Sequence, residues 1–212
     1  PPPPAPRAQK TTGRKRLTAV VGVLAASLLY TAIPKHEGVV HKGYYDPIGI
    51  PTKCMGDTRD VVIGKVYTVE ECMESMESAL INHAEPVLRC TPGLKDHPEM
   101  LSAAISFAYN FGPLTYCTSS IATNFNRGNF ATACKRFNEN ALGEPQYIFV
   151  KHKYDKATGK WIYKSLPGLI TRRADERALC ERGLTHAQKT LHRFGSAGAP
   201  RCCLATQRLP GD

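Results

Sequence analysis

Apolar and polar positions divide the chain into stretches of different period. The longest uncharged apolar stretch is LTAVVGVLAASLLYTAI, residues 17–33. As one helix it would measure about 25 Å, at the short end for a hydrocarbon core of about 30 Å. Its alanines, Gly22 and hydroxyl residues also make it only weakly apolar. From Lys42 to Tyr67 no helical period persists, and Gly43, Pro47, Gly49, Pro51, Gly56 and Gly64 predict short strands joined by turns. Thr68 followed by Glu71 has the form of a capping box, and Val69, Cys72, Met73, Met76 and Leu80 then recur at helical spacing up to Pro86, where the helix is expected to end. Pro98 opens the most apolar helix, carried by Leu101, Ala104, Ile105, Ala108 and Phe111 and stopped by Gly112-Pro113. Ser119 or Ser120, and later Asn129, can cap two short helices over 121–127 and 130–138. IFVKHKYDKATGKWIYKS alternates on both sides of Ala157-Thr158-Gly159 and predicts a hairpin. Pro167-Gly168 introduces a last strong helix, LITRRADERALCERG, expected to close at Gly183, and after about residue 192 the pattern dissolves.

A length of 212 residues at 42% hydrophobic content suits one globular domain with an appendage. The formal charge of +10 fits an anionic partner without choosing among nucleic acid, membrane surface and envelope polymer. Eight cysteines without C-x-x-C pairs or zinc-type spacing read as disulfides in an oxidising compartment, against the alternative of buried free thiols. Ahead of the apolar stretch lie a proline tract and then Arg7, Lys10, Arg14, Lys15 and Arg16, with no acidic residue. That asymmetry places the N-terminus in the cytoplasm and everything after Ile33 outside. An uncleaved, marginal membrane segment is the favoured reading. A cleaved signal peptide would leave Leu28-Leu29-Tyr30 near its new terminus, and a buried core helix is the third alternative. The expected division is a basic Pro-rich segment 1–16, the membrane segment 17–33, a catalytic domain 35–192 and a tail 193–212.

Directly after the apolar stretch, HEGVVHKGYYDPIGIPT carries Glu37, Asp46 and Thr52. Glycosidic cleavage needs a proton donor for the leaving oxygen and a second, ionised carboxylate. Where water attacks directly, the two carboxyl groups stand about 6.5 to 9.5 Å apart to admit it. A threonine hydroxyl beside the aspartate can help hold that water. Taken alone the spacing is weak evidence, since an aspartate before Pro47 is also an ordinary turn residue.

EGVVHKGYYDPIGIPTKCMGDT, with the later ISFAYNFG and GLITRRADERALC, resembles the phage-type lysozymes of glycoside hydrolase family 24, over about residues 35–183. The apolar run just before Glu37 resembles that of signal-arrest-release endolysins from phages of Gram-negative hosts. The resemblance implies an α+β, lysozyme-like fold: a small β-hairpin lobe and a mainly helical lobe, preceded by an N-terminal apolar signal-arrest-release helix. It implies Glu37 as general acid, Asp46 as second catalytic carboxylate and Thr52 as the residue placing the attacking water. Asn110 then lines the cleft, and Arg173 matches the arginine that hydrogen-bonds the catalytic glutamate, with a solvated helix face as its bland alternative. The resemblance further implies a monomer that needs no cofactor or metal. Its partners are peptidoglycan, the inner membrane transiently and a holin or pinholin functionally, with release to the periplasm. By resemblance and position Cys134 pairs with Cys180, Cys54 with Cys72 and Cys90 with Cys117. The hairpin segment IFVKHKYDKATGKWIYKS is longer than the family's usual connection.

Competing functions fare less well on the residues. A lytic transglycosylase needs only the acid, so Asp46 and Thr52 argue against it. An intact Glu37, Asp46 and Thr52 set disfavours a non-catalytic peptidoglycan-binding protein, and no long cationic amphipathic helix supports a membrane-disrupting one. Nucleic-acid binding has only the charge behind it, and an exported domain would not meet nucleic acid.

Overall fold

A computed structural model describes the backbone of residues 16–46, 49–156 and 158–194, with side chains as far as residue 185. The basic Pro-rich segment, the tail and Cys202-Cys203 lie outside the described residues.

The chain begins with α1 (Leu17–Val21) and α2 (Val23–Glu37), followed by an antiparallel pair, β1 (Val40–Tyr45) and β2 (Pro51–Cys54). Helix α3 (Val69–Cys90) and a short 3-10 turn (Pro92–Asp96) lead into α4 (Pro98–Phe111). Three short helices follow: α5 (Pro113–Cys117), α6 (Ser120–Asn126) and α7 (Phe130–Lys135). A second antiparallel hairpin, β3 (Phe149–Asp155) with β4 (Lys160–Ser165), precedes the long α8 (Pro167–Phe194). This is the expected α+β arrangement. A small hairpin lobe holds β1 and β2, and a helical lobe surrounds α4, whose residues from Glu99 to Ala108 are all buried. Phe107 sits at its centre, in ring contact with Phe111, Tyr116, Phe137 and Tyr147.

Most local signals act as their chemistry dictates. Thr68 Oγ1 accepts from the Glu71 amide at 3.1 Å while the Glu71 carboxylate accepts from the Thr68 amide at 2.8 Å, closing the capping box of α3. Ser119 caps α6 through the Ala122 amide. The disulfides are Cys54–Cys72, Cys90–Cys117 and Cys134–Cys180, which tie the hairpin lobe to α3, α3 to α5, and α7 to α8.

Packing changes two expectations and gives residues 17–33 a place in the core of this structure. Residues 17–33 do not form one spanning helix: Gly22, at φ +84°, separates α1 from α2, and no helix among the described residues is long and apolar enough to cross a membrane. Leu17, Val21, Ala25, Ala26, Leu29 and Ile33 instead face the core, and Tyr30 Oη and the Leu17 amide both donate to Glu77 on α3. Pro86 does not end α3, which runs one further turn because Val87 is buried and Cys90 is bonded to Cys117. Gly183 does not close α8. It lies mid-helix, where a Cβ would come within 3.0 Å of Met100 Cγ, so this glycine serves the close approach of α8 to α4.

Candidate active site

Glu37 is the last residue of α2, and the buried stripe of that helix fixes where its side chain can go. Gly38, at φ +69°, turns the chain out of the helix and toward β1. The Glu37 carboxylate lies at the junction of the two lobes, its Oε2 at 4.0 Å from where a Cβ on Gly56 would stand. Gly56 follows β2 closely at φ +83°, a left-handed conformation that favours glycine. Tyr109, near the end of α4, donates its hydroxyl to the Met55 carbonyl at 3.1 Å and bridges the lobes at the same place. Burial, with the negative charge of Glu37 next, pushes the Tyr109 phenol up to about 12. A cavity of about 260 Å³ beside it is lined by Gly56, Asp57, Arg59, Asn82, His83 and Tyr109 among others.

Arg172, on α8, holds Glu37. Its Nη1 donates to Glu37 Oε1, its Nη2 to the Ser106 carbonyl at 3.0 Å and its Nε to Glu176 Oε1 at 3.3 Å. The arginine expected in this role was Arg173. Successive residues of a helix point about 100° apart, so only one of two adjacent arginines can face Glu37. Arg173 turns inward instead, fully buried, with its guanidinium 4.7 Å from the Phe107 ring centroid and 5.0 Å from that of Phe111.

Glu176 joins the two arginines. Its Oε1 accepts from Arg173 Nη2 at 2.7 Å, from Ser106 Oγ at 2.8 Å and from Arg172 Nε. Burial pushes the Glu176 carboxyl up, while both guanidiniums and the Ser106 hydroxyl oppose that shift. Two carboxyl groups and two guanidiniums thus share one hydrogen-bonded cluster. On its exposed side Asp175 meets Lys35 at 2.5 Å and His36 at 3.5 Å, fastening the end of α2 to α8.

Asp46 and Thr52 share the β1–β2 hairpin and are tied to the same residue. Asp46 Oδ1 accepts from the Ile50 amide at 2.8 Å, and Thr52 Oγ1 donates to the Ile50 carbonyl at 3.0 Å. Thr52 is buried, and spending its proton on Ile50 leaves its oxygen as an acceptor. Asn110 is exposed on the last turn of α4. Among the described residues no three His, Cys, Asp or Glu side chains are grouped to hold a metal ion.

Asp57 was not anticipated from the sequence. It accepts from Ser75 Oγ and from the amide and Nε of Arg59. Burial alone would raise its carboxyl, but these donors outweigh burial and hold it below the usual carboxylate range. Glu176 was also missed, although its position four residues after Arg172 was readable as a same-face helical pair.

The phage lysozyme family model matches residues 34–176, which span Glu37, both lobes and the Arg172–Glu176 cluster. The chain belongs to the phage lysozyme family. Among relatives of this lysozyme, the SAR-endolysin of Bacteriophage PS119 is 33% identical over 68% of this chain and 75% of its own. The SAR-endolysin of Enterobacteria phage P21 is 30% identical over 79% of this chain and 94% of its own. Among solved structures, the active form of P1 phage endolysin Lyz aligns with a TM-score of 0.57 at 25% identity, over 79% of this chain and 92% of that one. The muramidase domain of SpmX from Asticaccaulis excentricus shares the fold, with a TM-score of 0.60 at 20% identity over 74% and 97% of the two chains.

Proposed function

We propose that this lysozyme is a phage endolysin that hydrolyses the β-1,4 bond between N-acetylmuramic acid and N-acetylglucosamine in peptidoglycan. The observation that carries the reading is the Glu37 carboxyl held by Arg172 at the lobe junction, where Tyr109 bridges to Met55. Glu37 gives its proton to the leaving glycosidic oxygen as the bond from the anomeric carbon breaks. A water held at Thr52 attacks that carbon from the opposite face, and Asp46 receives its proton, so the product is inverted. The Thr52 oxygen, already donating to Ile50, is available to accept from that water.

The apolar residues 17–33 give the enzyme its control. Before release they lie in the host inner membrane with the N-terminus in the cytoplasm, and Glu37 is pinned at the membrane four residues beyond Ile33. A holin or pinholin collapses the membrane potential, and a weakly apolar segment then leaves the bilayer for the periplasm. The packing of Leu17, Leu29 and Ile33 into the core and the bond from Tyr30 to Glu77 support a released form in which α2 delivers Glu37 to the cleft.

The test is clearing of outer-membrane-permeabilised Gram-negative cells by wild type and Glu37→Gln, with the released muropeptides analysed. Wild type should clear and leave reducing ends, and Glu37→Gln should not clear. Clearing that survives the substitution, or anhydro ends in place of reducing ones, overturns the assignment. Insertion of several leucines into residues 17–33 should block release, and lysis unchanged by them refutes the tether.

A further inference from the structure

The β3–β4 hairpin does nothing for the core. Each strand packs chiefly on the other, and Phe149, Tyr154, Trp161, Ile162 and Tyr163 are all about half exposed. The register sorts these residues. Residues directly opposite in an antiparallel pair share a face, and positions alternate along each strand. Phe149 pairs with Ser165, Lys151 with Tyr163 and Tyr154 with Trp161, whereas Val150 pairs with Lys164, Lys153 with Ile162 and Asp155 with Lys160. The irregularity between Lys151 and Lys153 inserts His152 as an extra residue. Without it Tyr154 would fall on the opposite face. With it, all four rings, Phe149, Tyr154, Trp161 and Tyr163, lie on one side.

The aromatic face is ordered by its own contacts. Tyr154 and Trp161 meet edge to face at 5.3 Å between centroids, and the Lys151 ammonium stands 5.1 Å from the Trp161 ring centre. Lysines 151, 153, 156, 160 and 164 accompany one acid, Asp155. The tip is polar, with Thr158 Oγ1 donating to Asp155 at 2.6 Å, so it is poorly made to enter a bilayer. Lys151 shares the ring face, while Lys153, Lys160 and Lys164 lie on the opposite face, so a row of half-exposed rings with one ammonium beside it, on a basic hairpin, suits sugar rings that carry acidic substituents.

The hairpin is also joined to the site. Its base is closed by the Leu166 amide donating to the Ile148 carbonyl at 3.0 Å, and Tyr147 below it packs edge-on to Phe107. Arg172, which holds Glu37, follows Leu166 by six residues, about 9 Å along α8.

We propose that the aromatic face of this hairpin is a second binding site for a peptidoglycan glycan strand, with Lys151 beside the rings engaging a carboxylate of its stem peptides. The inference rests on the muramidase reading for the identity of the polymer, and its test is separable from that reading. Co-sedimentation with purified sacculi is measured for full-length Glu37→Gln, which binds without cutting, with and without Trp161→Ala and Tyr163→Ala. Removing two anchor rings should weaken sacculus binding about tenfold, while Trp161→Phe retains most of it. In the Glu37 protein the same ring substitutions should leave hydrolysis of short soluble oligosaccharides and the melting temperature unchanged, because the rings bury nothing in the core. Sacculus binding unaffected by ring removal overturns the proposal. So does a ring-dependent affinity for phosphatidylglycerol vesicles with sacculus binding intact, which would make the face a membrane contact. Cutting that persists in Glu37→Gln would refute the muramidase reading and leave the sedimentation result to decide the hairpin.

Discussion

Replacing Glu176 by Gln keeps the shape of the side chain and removes one negative charge from the buried cluster. Arg173 is 0% exposed and Arg172 3%, so neither guanidinium can turn to water for compensation. Glu37, itself partly exposed, would be the acidic group remaining in contact with Arg172. Breaking a buried ion pair by removing one partner costs about 3 to 5 kcal/mol, because the other charge stays buried. For a domain of this size that corresponds to a fall in melting temperature of roughly 6 to 20 °C. The glutamine amide oxygen can still accept from Arg172 Nε, but as a neutral acceptor it holds the guanidinium less strongly and loosens the constraint that aims its Nη1 at Glu37. Hydrolysis below the new melting temperature should therefore fall mainly in kcat rather than KM. Thermal unfolding and kinetics on a soluble oligosaccharide measure the two effects. The double variant Arg173→Leu, Glu176→Gln removes one charge of each sign and should recover part of the lost stability, giving a coupling of about 0.5 to 3 kcal/mol in a double-mutant cycle. A melting temperature for Glu176→Gln within 1 °C of wild type, or strictly additive double-mutant energies, would refute the charge-balance argument.

Asp57 has a folded carboxyl held below its unfolded value of about 3.9, so its stabilisation is present above about pH 4 and is lost as pH falls through the folded value. Asp57→Asn should thus be less stable than wild type at pH 7 and differ little from it at pH 2, as followed by denaturant titration at both pH values. Gly183→Val should destabilise by about 1 to 3 kcal/mol through overpacking against buried Met100, despite gaining helix propensity over glycine, and Met100→Ala should restore part of the loss. Removing Cys134–Cys180, which closes a 46-residue separation, with paired alanines should cost roughly 2 to 5 kcal/mol, and a chemical midpoint unchanged by the substitution would contradict a structural role.

The local chemistry of the chain was legible wherever a residue type has one dominant use. Thr68 with Glu71 closes a capping box, Gly112-Pro113 stops α4, and a turn through Thr158-Gly159 divides a hairpin, each because the effect needs only neighbours in sequence. The motif around Glu37, Asp46 and Thr52 pointed to glycosidic chemistry, and the fold ties Asp46 and Thr52 to one residue, Ile50. Signals failed where a distant element decided. Pro86 stops an isolated helix, but burial of Val87 and the bond from Cys90 to Cys117 carry α3 past it. Gly183 resembles a helix terminator until Met100 is found where its side chain would be.

The sequence by itself determined most elements and the caps at Thr68 and Ser119, because those follow from periodicity and side-chain type. Tertiary structure alone decided which of two adjacent arginines serves Glu37, since helical phase becomes meaningful only when a neighbour gives it a direction. It also decided the place of residues 17–33 in this structure. The same apolar surface satisfies a bilayer or a protein core, and it is the apolar flanks of α3 and α4 that complete the second solution, with Glu77 and Ser102 accepting and donating at its polar points.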